Sequence, residues 1–213
     1  MGQFGSVKGQ APGNKHREFP AEPLTPEEVG AIIGACSGKA ATGVRNRAML
    51  MLLYRSGLRV SEVLAVRGSD VNFAQHSIRL LDTKAGKPQT RGFHPSAEDM
   101  LRRWIDKRHE RHIKRGPLFC TLDGDPIHAQ YVRIMLRRAA DKAGIDKRVH
   151  PHGLRHTYAV ELEQSGLSIT KISALLGHSS TAVTDRYLKH LTNAEAIAAL
   201  AAVELPPLKG IGL

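Results

Sequence analysis

The residues of this sequence that could do chemistry are cations and hydroxyl-bearing or imidazole side chains in a combination suited to phosphodiesters. Breaking a phosphodiester by direct attack requires a nucleophile, donors that neutralise charge on the non-bridging oxygens, and an acid that protonates the leaving oxygen. Arginine suits the phosphate because its planar guanidinium donates two parallel hydrogen bonds and keeps its charge at any working pH. The chain has 31 lysines and arginines, 11 histidines and 4 tyrosines from which these roles could be filled.

A tyrosine used as the nucleophile would depend on its cationic neighbours. Its ordinary pKa of about 10 makes the phenol a poor nucleophile at neutral pH, so its proton must leave while arginines hold the developing charge. A phosphotyrosine ester conserves the energy of the broken bond, and rejoining therefore needs no ATP. The sequence agrees with this, because it contains no Gly-rich phosphate loop of the Walker type.

Metal binding is an alternative raised by the 11 histidines of the chain. The histidines that cluster most closely lack carboxylate or thiolate partners at the spacing of metal ligands. They are His109, His112, His150, His152 and His156. We therefore predict no metal site and no cofactor.

Four motifs resemble the tyrosine recombinase and phage integrase family. They are Gly57-Leu58-Arg59-Val60-Ser61-Glu62, His152-Gly153-Leu154-Arg155-His156, Leu175-Leu176-Gly177-His178-Ser179-Ser180, and the segment from Thr184 to Tyr187. Each motif alone is weak, since a lone arginine is most often a surface charge and a lone histidine a cap or a solvated residue. The ordered set is far more specific, and the resemblance covers residues 22–203.

The resemblance implies a role for each matching residue. Arg59 and Arg155 would clamp the scissile phosphate, while His152 and His178 would complete its hydrogen bonding and assist proton movement. Tyr187 would be the nucleophile, forming a 3′-phosphotyrosyl link. Four protomers on two double-stranded DNA sites would exchange strands through a Holliday junction, and the protein would be a monomer in free solution.

A lysine of the family protonates the leaving 5′-oxygen, and Lys84 matches it. Lys87 is close enough in sequence to compete, but Lys84 follows the first predicted strand more closely. Lys87 and Arg91 are candidates for DNA contacts from the same hairpin. Because a helix in this region of the family approaches the major groove, Gln130 and Arg133 are candidates for base or phosphate contacts, with a solvated basic face as the alternative.

Two other functions fit the same residues. Type IB topoisomerases use a similar pocket to nick and reseal one strand, and a non-catalytic DNA-binding regulator could keep the fold without the chemistry. Most family members also carry a helical domain ahead of the catalytic one, whereas this chain has a short arm there. Whether it recombines DNA unaided, or with accessory directionality factors as further partners, therefore stays open.

The elements that position these residues are predicted from periodicity, caps and glycines. We predict an α+β fold, mainly α-helical, with a small antiparallel hairpin built from strands over 77–81 and 89–93. Thr25, Pro26 and the acids that follow indicate a helix start. Further helices are predicted over 44–55, 96–111, 128–143, 152–165, 168–176, 180–189 and 192–203, with Gly144, Gly166 and Gly177 as stops.

The domain organisation follows from the same pattern. Residues 1–21 are predicted to form a flexible basic arm, residues 22–205 the tyrosine recombinase catalytic domain and residues 206–213 a C-terminal tail. Within 191–205, alanine and leucine spacing predicts a packing face at Ala194, Ile197, Ala198 and Ala201. This face would pack either into a neighbouring subunit, as in the family, or onto its own domain.

Composition limits the classes of protein that fit. The chain has 213 residues and a formal net charge of +11, with a pI of about 10.0, which favours polyanionic partners. Its two cysteines indicate a reducing compartment rather than a disulfide framework. No apolar run approaches the ~20 residues of a membrane span. We expect a cytoplasmic protein, associated with the nucleoid when bound to DNA.

Overall fold

The computed structural model describes residues 22–81, 88–177, 197 and 199–207. These residues form mainly helices and one small antiparallel sheet, as predicted. In chain order the elements are α1 (Pro26–Gly34), α2 (Ala41–Ser56), α3 (Val60–Ala65), β1 (Val71–Asn72), β2 (Ser77–Leu80), β3 (Gln89–Gly92), α4 (Glu98–Glu110), α5 (Ala129–Lys142), α6 (Pro151–Gln164) and α7 (Ile169–Leu176). The predicted arm over 1–21 and helix over 180–189 lie outside the described residues.

Helix ends follow the caps that the sequence offers. Thr25 accepts a hydrogen bond from the backbone N–H of Glu28, and the Glu28 carboxylate accepts one from the N–H of Thr25. This capping box satisfies donors that the first turn of α1 would otherwise leave free. The predicted stops are confirmed, since Gly144, Gly166 and Gly177 all have positive φ. α2 extends from Ala41, three residues before its predicted start.

The predicted hairpin forms between β2 and β3, which pair antiparallel from Ser77 opposite Gly92 to Leu80 opposite Gln89. A third strand, β1, was not predicted because two residues are too short to show an alternating pattern. The connection over 82–87, with Lys84 and Lys87, lies outside the described residues. The helix predicted from residue 96 is instead preceded by a 3₁₀ turn over Pro95–Ala97, so α4 begins at Glu98.

α2 is the central helix of the domain. Each residue from Ala48 to Ser56 is buried, so this part of the helix is enclosed on every side. α4 and α6 are its main packing partners. On α4, Trp104 is fully buried and its indole N–H donates to the carbonyl of Leu118 at 2.8 Å. Within the described ranges, no helix is both long and apolar enough to cross a membrane.

A buried ion pair joins α2 to α6. Arg55 Nη1 lies 2.9 Å from Glu161 Oε2, and Tyr54 donates its hydroxyl to the other oxygen of the same carboxylate. Both charged side chains are almost fully enclosed, at 1% and 7% exposure. Burial, with the neighbouring Glu161 charge, raises the pKa of Tyr54, so the phenol stays protonated as a donor. The mutual bonds offset the cost of removing these charges from water.

The C-terminal segment packs on its own domain. Residues 197 and 199–201 are helical, and Leu200 and Val203 are buried. Leu200 and Ile197 lie over Gly92 of β3, where a side chain would crowd them. Ala201 is exposed, so at that position the predicted face does not pack on its own domain, and Leu200 is the residue turned toward the sheet. Ala194 and Ala198 lie outside the described residues.

Two buried polar side chains fasten the end of this segment. The His94 Nε2–H donates to the carbonyl of Val203 at 2.8 Å. Arg55 Nη2 donates to the carbonyl of Pro206 at 3.0 Å, so Arg55 bonds to Glu161 on one side and to this segment on the other. The described part of the segment is therefore an integral part of the domain.

Replacing Glu161 by Ala should strongly destabilise the domain, because Arg55 would keep its charge without its carboxylate partner. We expect the free energy of unfolding to fall by about 3–5 kcal/mol, measured by urea denaturation. Glu163→Ala is the matched control, since Glu163 is exposed on the same helix. A loss below about 1 kcal/mol for Glu161→Ala would show that the pair contributes little.

Candidate active site

Arg155 lies on α6 and is 5% exposed. Its Nη1 donates to the carbonyl of Gly57 at 2.6 Å, and its Nη2 donates to the carbonyl of Leu176 at 2.8 Å. Burial is the largest cause that lowers its pKa, to about 10, and the charges of Arg59 and Arg91 lower it further. Arg155 stays cationic at neutral pH and is held between the α2–α3 junction and the end of α7.

Gly57 makes this arrangement sterically feasible. It ends α2 with φ 60°, a left-handed conformation that favours glycine. A Cβ at this position would overlap a methyl group of Leu176. The glycine of the first motif therefore lets the α2–α3 junction approach the end of α7, with Arg155 bonded to both.

Arg59 is the residue that precedes α3. Its backbone N–H donates to Glu62 Oε2 at 2.7 Å, and its Nη1 donates to Glu62 Oε1 at 2.9 Å. Its side chain is 44% exposed, whereas that of Glu62 is 12% exposed. The guanidinium is therefore oriented by one carboxylate and still accessible to a ligand.

The N-terminus of α6 supplies two histidines. His150 precedes the helix, and its Nδ1 accepts a hydrogen bond from the N–H of Gly153 at 2.7 Å. The His152 ring stacks on it, with centroids 6.4 Å apart. Burial lowers the pKa of His150, and the charge of Arg148 lowers it further, so the neutral, accepting form is favoured.

These residues line one open groove with a volume of about 480 Å³. Its walls are Leu58, Arg59, Val60, Arg133, Arg148, His150, Pro151, His152 and Arg155. The first turn of α6 forms part of the wall, and the N-terminus of a helix favours anions. The fold and this groove together define a mainly helical domain with a basic groove whose residue types suit an anion.

The structure brings together four of the predicted site residues in this groove: Arg59, His152, Arg155 and Arg133. Gln130 lies one turn before Arg133 on the exposed face of α5, with its Oε1 3.5 Å from Arg133 Nη1. Arg91 is half-buried on β3 rather than extended from the hairpin. The remaining predicted residues lie outside the described residues, and they are Lys84, Lys87, His178 and Tyr187.

The sequence analysis missed two groove residues, Arg148 and His150. A signal for His150 was present, because it stands directly before Pro151, and proline is common at the first position of a helix. The residue before such a proline caps the helix. Its side chain therefore lies at the helix N-terminus, next to the groove that this terminus lines. In the ranges that the structure describes, no group of histidine, cysteine and acidic side chains could hold a metal ion.

Comparison with protein families matches residues 22–194 to the phage integrase family. The chain belongs to this family, as its motifs indicated. It is similar to tyrosine recombinase XerD of Ralstonia nicotianae, with 35% identity over 169 residues, which cover 77% of this chain and 54% of the relative. It is also similar to tyrosine recombinase XerC of Corynebacterium glutamicum, with 37% identity over 150 residues, which cover 70% and 48%. The chain thus spans about half the length of these curated relatives.

Solved structures support the same assignment of the fold. The crystal structure of XerA recombinase matches with a TM-score of 0.70 and 27% identity, covering 91% of this chain and 65% of that one. XerH site-specific recombinase bound to its difH substrate matches with a TM-score of 0.64 and 23% identity, covering 78% and 49%. The predicted catalytic-domain fold of tyrosine recombinases is confirmed.

The cap at His150 should make stability depend on pH. Because the folded pKa of His150 is lowered, its contribution is complete above the ordinary pKa of about 6.5 and is lost as the pH falls through the folded value. Asparagine is a good capping residue that does not titrate. We expect His150→Asn to lose less stability than the wild-type protein between pH ~7.5 and pH ~5, measured by urea denaturation at each pH.

His156→Asn is the matched control for this measurement, because His156 is exposed on the same helix. The control should show the pH dependence of the wild-type protein. If His150→Asn shows that dependence too, protonation of the cap does not contribute to acid destabilisation.

Proposed function

We propose that this chain is a site-specific DNA recombinase domain that cuts and rejoins DNA strands through a 3′-phosphotyrosyl intermediate on Tyr187. The observation that carries the proposal is the convergence of Arg59, His152 and Arg155, from distant parts of the sequence, on one open groove. Membership of the phage integrase family and the tyrosine recombinase relatives support the same activity.

Arg59 and Arg155 would share the scissile phosphate in complementary ways. Arg155 is rigid because two carbonyls bind it, so little conformational entropy is lost when it also donates to a phosphate oxygen. Arg59 is accessible and bonded to Glu62, so it can turn toward the phosphate without leaving its carboxylate. His152, in the first turn of α6 and on the wall of the same groove, would donate a further hydrogen bond.

Tyr187, Lys84 and His178 would supply the remaining steps. The Tyr187 oxygen attacks the phosphorus and loses its proton, with His152 and His178 assisting proton movement. The bond from phosphorus to the 5′-oxygen breaks, and that oxygen takes a proton from Lys84, with Lys87 as the alternative donor. Attack of a 5′-hydroxyl on the phosphotyrosine reverses these steps, so the strand is rejoined without ATP or metal.

The partner we propose is double-stranded DNA that carries recombination sites, as XerH binds difH. Arg133 in the groove and Gln130 on the same helix face would contact backbone or bases, and Lys87 and Arg91 would add positive charge from the hairpin side. The arm over 1–21 would follow the backbone. The protein would act in the cytoplasm, at the nucleoid, as a monomer that assembles into a tetramer on paired sites, with directionality factors as further partners.

Replacing Tyr187 by Phe should abolish covalent attachment while keeping DNA binding. The test is incubation with labelled, nicked duplexes that carry attachment or inverted-repeat sites from the neighbourhood of the gene. Wild-type protein should form a band that survives denaturing electrophoresis, and Tyr187→Phe should form none, with duplex affinity changed by less than about threefold because phosphate contacts provide most of it.

Two outcomes would contradict this proposal. Tight binding by the wild-type protein with no covalent band would favour a regulator that has the fold without the chemistry. Efficient relaxation of a supercoiled plasmid that lacks any such site would favour a topoisomerase.

Replacing Arg133 by Ala should weaken DNA binding at all sequences if this residue contacts a phosphate. The slope of log affinity against log salt should then become shallower by about 0.9. Fluorescence anisotropy with duplexes of several sequences measures both quantities. Arg111→Ala is the charge-matched control, since Arg111 is exposed at the end of α4 and does not line the groove. An effect confined to one sequence would instead assign Arg133 to base contact.

A further inference from the structure

Arg91 has surroundings that differ from those of a hairpin arginine extended toward solvent. Its Nη2 donates to the Gln89 side-chain oxygen, and its Nη1 donates to the carbonyl of Thr90 at 3.4 Å. Burial lowers the pKa of its guanidinium, and the charge of Arg59 lowers it further. A cation is therefore held partly out of water on β3, close to the groove.

Gly177 provides the space for this guanidinium. The residue ends α7 with φ 65°, and a Cβ there would overlap Nη2, Cζ and Nε of Arg91. The neighbouring carbonyl, that of Leu176, accepts the hydrogen bond from Arg155 Nη2. Arg91 and Arg155 therefore meet at the last turn of α7, where the partial negative charge of a helix C-terminus favours cations.

The charges around this turn are unbalanced. The charge of Arg91 lowers the pKa of Arg155, and Arg59 acts on both. Among the described residues, Glu62 is the one carboxylate whose charge raises the pKa of Arg91 and that of Arg155. Glu62 is already bonded to Arg59. Three guanidinium groups thus share one carboxylate. Repulsion among these like charges is unfavourable, and a bound anion would reduce it.

We propose that Arg91 is a positioning residue of the phosphate pocket, a third arginine that lies against Gly177 and strengthens the hold of Arg59 and Arg155 on the scissile phosphate. The inference rests on the proposed function and deepens it. Arg91 acts through its charge and through its contact with the end of α7. It raises the affinity of the pocket for the dianionic transition state more than the affinity for the starting diester, because the negative charge on the phosphate grows during the reaction.

The first measurement compares single-turnover cleavage by wild-type protein, Arg91→Met and Arg91→Lys on nicked duplex at saturating protein. Met keeps much of the apolar stem and removes the charge, whereas Lys keeps the charge and loses the planar fork. We expect Arg91→Met to cleave about 10- to 100-fold more slowly with a smaller change in duplex affinity, and Arg91→Lys to recover most of the rate. Arg79→Met is the control, since Arg79 lies on the paired strand β2 with its side chain 61% exposed.

The second measurement does not depend on recombination. Inorganic phosphate should raise the melting temperature of the wild-type protein and of Arg79→Met, because bound anion relieves repulsion among the arginines. The same phosphate concentration should raise the melting temperature of Arg91→Met clearly less. If the wild-type protein forms no covalent complex but this difference is found, the proposed function fails and the third arginine of an anion pocket stands.

Either of two results would overturn the inference. Wild-type cleavage rates in Arg91→Met would show that the charge is not used. If Arg91→Met and Arg91→Lys lose cleavage rate equally and melting temperature equally relative to the wild-type protein, Arg91 contributes through packing alone.

Discussion

The two hydrogen bonds from Arg155 to the carbonyls of Gly57 and Leu176 are the interaction on which the site depends. They join the α2–α3 junction, the first turns of α6 and the end of α7. The guanidinium is buried at a cost in desolvation that the two carbonyls offset. A guanidinium has more N–H groups than these bonds use, so the same side chain can organise the protein and bind an anion.

The glycines of the motifs follow from this constraint. Gly57 must adopt a left-handed conformation and lie against Leu176, and Gly177 must end α7 and leave room for Arg91. A larger residue at position 57 would overlap the Leu176 side chain, and one at position 177 would displace the Arg91 guanidinium. These glycines are therefore required both by their left-handed backbone and by the close approach of the Leu176 and Arg91 side chains.

Much of the architecture could be predicted from local signals. Thr25, Pro26 and the stop glycines act within a turn of their own positions, so the sequence is sufficient to place them. The ordered motifs are sufficient to indicate the family from the sequence alone. What could not be predicted depends on tertiary contacts: Arg91 is placed by Gly177, which is remote in sequence, and the exposure of Ala201 is decided by how Leu200 meets β3. Arg148 enters the groove because of the loop before α6, which carries no periodic pattern.

The C-terminal segment changes where the domain should be considered to end. The sequence predicts a tail from residue 206, yet the carbonyls of Val203 and Pro206 are partners of His94 and Arg55 inside the domain. A chain shortened before Val203 would leave His94 and Arg55 without these carbonyl partners. Expression boundaries and fusion junctions therefore belong after Pro206, where the last of these bonds is made.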